Sequence, residues 1–238
     1  MSGISKEKWK VWGNVFDEFT FRTLFKLASQ GHFEELKSPV SIGKESNVFS
    51  AKTDDGKIIV KIYRLETCDF NRMYDYIKYD PRYVNLKKQK RKIVFAWTQR
   101  EYRNLMKARE AGVNVPKPIA FLNNILCLEF IGDKEIASKI KDKIPKNKRD
   151  FFEKIIKNMQ KLYKTGLIHA DLSQFNILNL REEPVFIDFS QCTLLRNPRA
   201  EEFLKRDVRN VCNFFKKISL KVNEEKIIKK IIKNGIQL

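Results

Sequence analysis

The chain changes its hydrophobic period at Gly132. Ahead of that glycine, β-branched and aromatic runs such as KIIVKIY at residues 57–63 alternate with turn signals at Asp54-Asp55-Gly56 and Asn123-Asn124. Beyond it the chain is Lys-rich, and Phe152, Ile155, Ile156, Met159 and Leu162 recur at helical spacing before a stop at Gly166. Strands gathered first and helices after cannot interleave into a parallel sheet, so the order predicts an α+β chain with two lobes. At 238 residues the chain is long enough to give each a core. The expected division is a helical N-terminal extension over 1–37, a small antiparallel-sheet lobe over 38–131, and a helical lobe over 132–238.

Within the first part, Thr20, Phe21, Leu24, Phe25 and Ala28, with Gly31 just beyond, read as a capped amphipathic helix. Residues 48–51 and 57–63 read as the strands of a hairpin, and 119–130 as two short strands around Asn123-Asn124. Residues 65–92 hold four tyrosines, one proline and the run LKKQKRK, and read as a long, mobile basic loop. A helix is expected over 93–111, with Gly112 as its stop. Ile227-Ile228 and Ile231-Ile232 among lysines predict a closing amphipathic helix that packs on its own lobe.

Composition narrows the class further. Apolar residues make up 42% and charged residues 32%, with 18 Phe against 9 Gly and 7 Pro, which excludes collagen-like and wholly disordered chains. The most apolar uncharged stretch, residues 118–128, is too short to span a bilayer, and residues 1–8 carry no apolar leader. A cytoplasmic protein that touches no membrane is expected. Cys68, Cys127, Cys192 and Cys212 are too widely spaced for a metal or redox pair, and read as free, buried thiols. Lys and Arg total 48 against 29 acidic residues, a surplus of +19 that favours polyanionic partners such as RNA, although a Lys- and Ile-rich bias also arises from genome composition or heat adaptation.

The chemistry concentrates in LIHADLSQFNIL followed by VFIDFSQ. Asn176 stands five residues after Asp171, and Asp188 seventeen after it, at the end of an apolar run. Phosphoryl transfer needs this set: one carboxylate to orient the attacking oxygen, and an amide and a second carboxylate as hard oxygen ligands for Mg²⁺ on nucleotide phosphates. Taken singly, each residue reads as a turn or cap. Lys61 joins them, because a lysine inside an apolar strand is costly unless a phosphate or carboxylate meets it. Glu101, on the helix that follows, is the candidate partner, though alone it reads as a solvated helix charge. Gly43 and Ser46 lie in SIGKESNVF, a β-turn-β position whose amides can cover phosphates, but with one glycine it departs from both common glycine-loop patterns. His169 is expected to hold the loop through the backbone rather than to act as a base.

Together the GKESNVF loop, the VKIYR strand, WTQREYRNL, the LEFIG segment, HADLSQFN, IDFSQ and EEFLKRDVRNVCNFF resemble the RIO family of atypical protein kinases, and within it the type-one subfamily. The resemblance covers nearly the whole chain, and no winged helix precedes it as in the type-two branch. It implies a bilobal protein-kinase-like fold with a truncated helical C-lobe that lacks the peptide-docking helices, and it places the basic loop where type-one members have a flexible one. It implies ATP and Mg²⁺ (or Mn²⁺) as cofactors. By position, Lys61 would contact phosphate with Glu101 as its pair; Leu128, Glu129 and Ile131 would hold adenine, sandwiched by Val48, Leu178 and Ile187. Asp171 would be the catalytic aspartate, with Asn176 and Asp188 binding metal and Asp188 also accepting phosphate as an aspartyl-phosphate.

Three departures stand out. Against ordinary protein kinases, Ala170 replaces the Arg of the HRD triplet and Ser190 replaces the Gly of DFG; against the RIO family itself, no serine occurs in residues 52–136 to serve as a loop autophosphorylation site, which leaves Thr67 or the loop tyrosines. The resemblance implies an atypical Ser/Thr kinase or ATPase acting in maturation of the small ribosomal subunit, with a precursor of that subunit and its rRNA as partner and no DNA partner expected. The alternatives are a small-molecule phosphotransferase of the aminoglycoside or choline kinase kind, which the basic charge disfavours, and a non-catalytic RNA-binding scaffold, which the intact Lys61, Asp171, Asn176 and Asp188 disfavour.

Overall fold

The computed structural model describes residues 16–233; the first fifteen residues of the expected N-terminal extension lie outside them. The chain divides into two compact units, one of residues up to 77 with 85–102 and 117–130, the other of residues 78–84, 103–116 and 131 onward.

The first unit is a five-stranded antiparallel sheet in the order β1-β2-β3-β5-β4. Its strands are β1 (Glu35–Ile42), β2 (Ser46–Thr53), β3 (Gly56–Tyr63), β4 (Pro118–Leu122) and β5 (Ile125–Glu129). The turn before Gly56, at φ 138°, joins β2 to β3, and Asn123 at φ 51° supplies the left-handed residue of the β4–β5 turn. Helix α1 (Glu18–Ser29) covers one face of the sheet: Leu24, Leu27 and Ala28 share a core with Phe49, Val60, Ile62, Ile125 and Cys127. Each Leu, Ile, Val or Phe among them contributes about 1.5–3 kcal/mol on burial. The β4–β5 turn is tied to the helix by Asn124 Nδ2 donating to Thr20 Oγ1 at 3.0 Å and Asn123 Nδ2 to Thr23 Oγ1 at 3.2 Å.

Three expectations are corrected here. The helix cap is Asp17, three residues before Thr20, whose N–H donates to the Asp17 carboxylate at 2.9 Å. The extension cannot run to residue 37, because β1 begins at Glu35; its polar sequence and its Pro39 fit an edge strand with only Leu36 buried. Residues 65–92 are not a continuous loop. They form α2 (Phe70–Ile77), a 3₁₀ turn (Pro81–Tyr83) and the start of α3 (Lys90–Glu110). Met73, Tyr76 and Ile77 supply a buried i, i+3, i+4 stripe, with Tyr76 edge-on to Trp97 at 5.9 Å.

The second unit is built on α4 (Lys148–Lys164), α5 (Ala200–Lys217) and α6 (Glu224–Lys233), with two small ribbons. Strand β6 (Leu167–Ile168) pairs with β9 (Thr193–Leu194), and β7 (Ile177–Leu180) with β8 (Glu183–Phe186). The α4 stripe is buried as its spacing predicts, and Phe152 meets Phe215 of α5 at 5.0 Å. Helix α6 packs on α4 and α5 with Ile231 fully buried, as its apolar pairs predict. All four cysteines are free and buried. Among the described residues no helix is long and apolar enough to cross a membrane.

Candidate active site

Each unit carries one set of the residues singled out from the sequence. In the first, Lys61 points away from the α1 core, on the face it shares with its register partners Val48 and Leu126. Leu128, opposite Ile59, lies on that same face. Lys61 Nζ meets Glu101 Oε1 of α3 at 2.9 Å with both side chains buried, and the Tyr63 hydroxyl donates to the other Glu101 oxygen. The partner proposed for the strand lysine is therefore the observed one, and the solvated reading of Glu101 is corrected: it is fully buried. Gly43 N–H closes the β1–β2 turn on the Ser46 carbonyl at 3.0 Å. Glu129 faces solvent, its carboxylate accepting from the Lys117 N–H at 2.8 Å.

A buried ion pair is costly to halve. Lys61→Met is expected to lower the unfolding free energy by about 3 kcal/mol, and the double variant Lys61→Met/Glu101→Gln to recover most of that loss. Urea unfolding of the three proteins checks the cycle; equal losses in the single and double variants would remove the ion pair from the account.

In the second unit, the loop between β6 and β7 carries Asp171 and Asn176, and the segment between β8 and β9 carries Asp188. Asn176 Nδ2 donates to the Asp171 carbonyl at 2.9 Å and to Asp171 Oδ2 at 3.1 Å, and Asn176 O accepts from the Ile187 N–H at 3.0 Å. The amide thus spends its nitrogen on Asp171 and keeps its oxygen for another donor or cation. His169 Nε2 lies 3.0 Å from the Ile187 carbonyl, the backbone role expected for it. Ile131, Leu178 and Ile187 share one apolar cluster with Val185. Among the described residues no three His, Cys, Asp or Glu side chains gather as a metal cage. Asn176 and Asp188 fit Mg²⁺ in its usual manner, in which one or two protein oxygens act with substrate phosphates.

The sequence reading gave no role to Asp207. From α5 its Oδ2 accepts the Ala170 N–H at 2.8 Å and its Oδ1 the Leu172 N–H at 2.9 Å, so one carboxylate grips the backbone on both sides of Asp171. Arg206 donates to the Ala170 carbonyl, and Asn210 Nδ2 to the Leu172 carbonyl at 3.2 Å. Burial pushes the Asp207 carboxyl up to about 8, against the pull of the Leu172 and Ala170 amides. A signal was present: Asp207 sits in the apolar stripe Phe203, Leu204, Val208, Val211, where an acid is expensive unless it is bonded. Tyr63, the second donor to Glu101, was also passed over.

A sheet unit with a buried Lys–Glu pair, and a helical unit with an HxDxxxxN loop and a following Asp segment, define the protein-kinase-like class. A family model of the RIO domain matches residues 47–227. The chain is 41% identical over 213 residues to the RIO-type serine/threonine-protein kinase Rio1 of Haloferax volcanii, covering 89% of this chain and 73% of that one. It is 41% identical over 227 residues to Rio1 of Methanocaldococcus jannaschii, covering 94% and 78%. Among solved structures, the Rio2 kinase ADP/Mg²⁺-phosphoaspartate complex from Chaetomium thermophilum shares the fold with a TM-score of 0.66 at 19% identity, over 90% of this chain and 73% of that one. The chain belongs to the RIO family, and its enzyme class is kinase.

Proposed function

We propose that the chain is an ATP- and Mg²⁺-dependent Ser/Thr kinase of the RIO type whose turnover runs through an Asp188 phosphate and serves as an ATPase switch on a precursor of the small ribosomal subunit. The observation that carries the reading is the Asn176–Asp171 pairing, which leaves the amide oxygen for a cation and sets Asp171 to receive a hydroxyl proton. Lys61, held by Glu101, contacts the phosphates, and the Gly43–Ser46 turn covers them. Val48, Leu128 and Glu129 are the adenine-binding candidates of the first unit, and Ile131, Leu178 and Ile187 those of the second. Bound with the nucleotide, Mg²⁺ neutralises charge that develops on the phosphates.

In the covalent route an Asp188 carboxylate oxygen attacks the γ-phosphorus, the bond to the β-phosphate oxygen breaks, and ADP leaves with the electron pair. Water then cleaves the acyl phosphate, releasing inorganic phosphate and restoring the carboxylate. The Rio2 complex described as containing phosphoaspartate supports this route. The +19 charge supports an rRNA-bearing partner, with Lys87, Lys88, Arg91 and Lys92 all exposed in its densest run.

The test follows γ-labelled ATP with and without purified small-subunit precursor, separating free phosphate, acid-labile and acid-stable protein label. Acid-labile label, with phosphate release raised by the precursor, is the expected result. Unconsumed ATP would overturn the catalytic reading, and turnover indifferent to the precursor would overturn the ribosomal one.

A further inference from the structure

Asp188 stands at φ 62° on a segment that belongs to neither neighbouring strand, so contacts from elsewhere must hold it. One is the His169 contact to the Ile187 carbonyl. Another lies past Asp188, where the Cys192 carbonyl accepts from Asn104 Nδ2 at 2.9 Å and the Cys192 N–H closes a turn on the Phe189 carbonyl at 3.2 Å. Asn104 is fully buried on α3, and its Oδ1 accepts from Arg82 Nη2 at 2.9 Å. Arg82 is in turn forked onto Asp80, Nε to Oδ1 at 2.9 Å and Nη2 to Oδ2 at 2.6 Å, and Asp80 is itself buried.

An amide can offer oxygen or nitrogen to a neighbour, whereas guanidinium offers only donors. Arg82 therefore fixes which way Asn104 faces: oxygen to the guanidinium, NH₂ to the Cys192 carbonyl. We propose that Arg82, clamped by Asp80, is a positioning residue for Asp188, acting through Asn104 and the Cys192 carbonyl. The proposal rests on the reading of Asp188 as a metal-binding and phosphate-accepting residue. It also supplies what Ala170 withholds. Ordinary protein kinases carry an arginine in that place to read a phosphate added to the activation loop. Here the segment is held by an arginine on the 3₁₀ turn, and its anion is the built-in carboxylate of Asp80.

The test compares Arg82→Gln and Arg82→Lys with the parent protein by amide hydrogen exchange over residues 188–193, with α4 as internal reference, and by calorimetric ADP affinity with and without Mg²⁺. Loss of one charge-assisted contact predicts exchange about 10-fold faster over 188–193 with α4 unchanged, and an Mg²⁺ enhancement of ADP binding weakened about 10-fold while metal-free affinity holds. Arg82→Lys gives no rescue, because an ammonium lacks the fork. Unchanged exchange over 188–193 overturns the proposal, and exchange raised equally in α4 assigns Arg82 a merely structural part. If Asp188→Asn keeps the full Mg²⁺ enhancement, the metal reading of Asp188 fails, while the exchange comparison still decides the fate of the clamp.

Discussion

Asp188→Asn is expected to stop turnover of labelled Mg·ATP, by about 10³-fold or more, and to remove any acid-labile protein label, while the protein stays folded. The reasoning begins with the backbone. Asp188 occupies the left-handed region at φ 62°, which asparagine tolerates better than any other non-glycine residue, so the exchange leaves the segment's shape intact. What changes is the charge. A neutral amide is a weaker ligand for a hard cation and a poor nucleophile toward phosphorus, so both roles proposed for the carboxylate fail together. Melting within a few degrees of the parent is the control. Turnover within 10-fold of the parent would remove Asp188 from the chemistry.

Replacing Asp207 tests the support beneath Asp171. In Asp207→Asn one of the two backbone N–H groups, from Ala170 or Leu172, meets an NH₂ in place of an acceptor. A buried donor left unpaired costs about 1–3 kcal/mol, and a misplaced Asp171 lowers kcat by about 10²-fold with little change in the KM for ATP. The pH dependence is separate. Burial raises the folded carboxyl from 3.8 to about 8, so between those values the folded state keeps a proton that the unfolded state has released. Stability therefore falls as pH rises through that window and levels off above it. Asp207→Asn, which cannot titrate, flattens this part of the curve. Urea unfolding of both proteins from pH 5 to 9 measures the difference; parallel curves would show that Asp207 does not titrate in this way.

What could be read beforehand follows from how local each signal is. Asp171 and Asn176 lie within one loop, so linear distance predicted their contact. The Lys61–Glu101 pair was legible because a lysine in an apolar strand demands a partner. The stripe of α4 and the turn at Gly56 are local as well. The helix in the insert is hidden in the sequence because its buried stripe, Met73, Tyr76 and Ile77, lies among lysines and tyrosines that look solvated in one dimension. Strand β1 begins earlier than the β-turn-β reading of SIGKESNVF implies, because an edge strand needs little apolar sequence; its hydrogen bonds come from β2.

The sequence by itself determined the change from sheet to helix, the loop that carries Asp171 and Asn176, and the chemistry those residue types allow, since periodicity and short-range spacing belong to the chain. Only the tertiary structure decided which distant groups hold that loop and the segment after Asp188: Asp207 from α5 on the amides around Asp171, and Arg82 with Asn104 on the Cys192 carbonyl. These contacts join residues far apart in the chain, and a polar side chain becomes an anchor only when folding buries it against one particular backbone group.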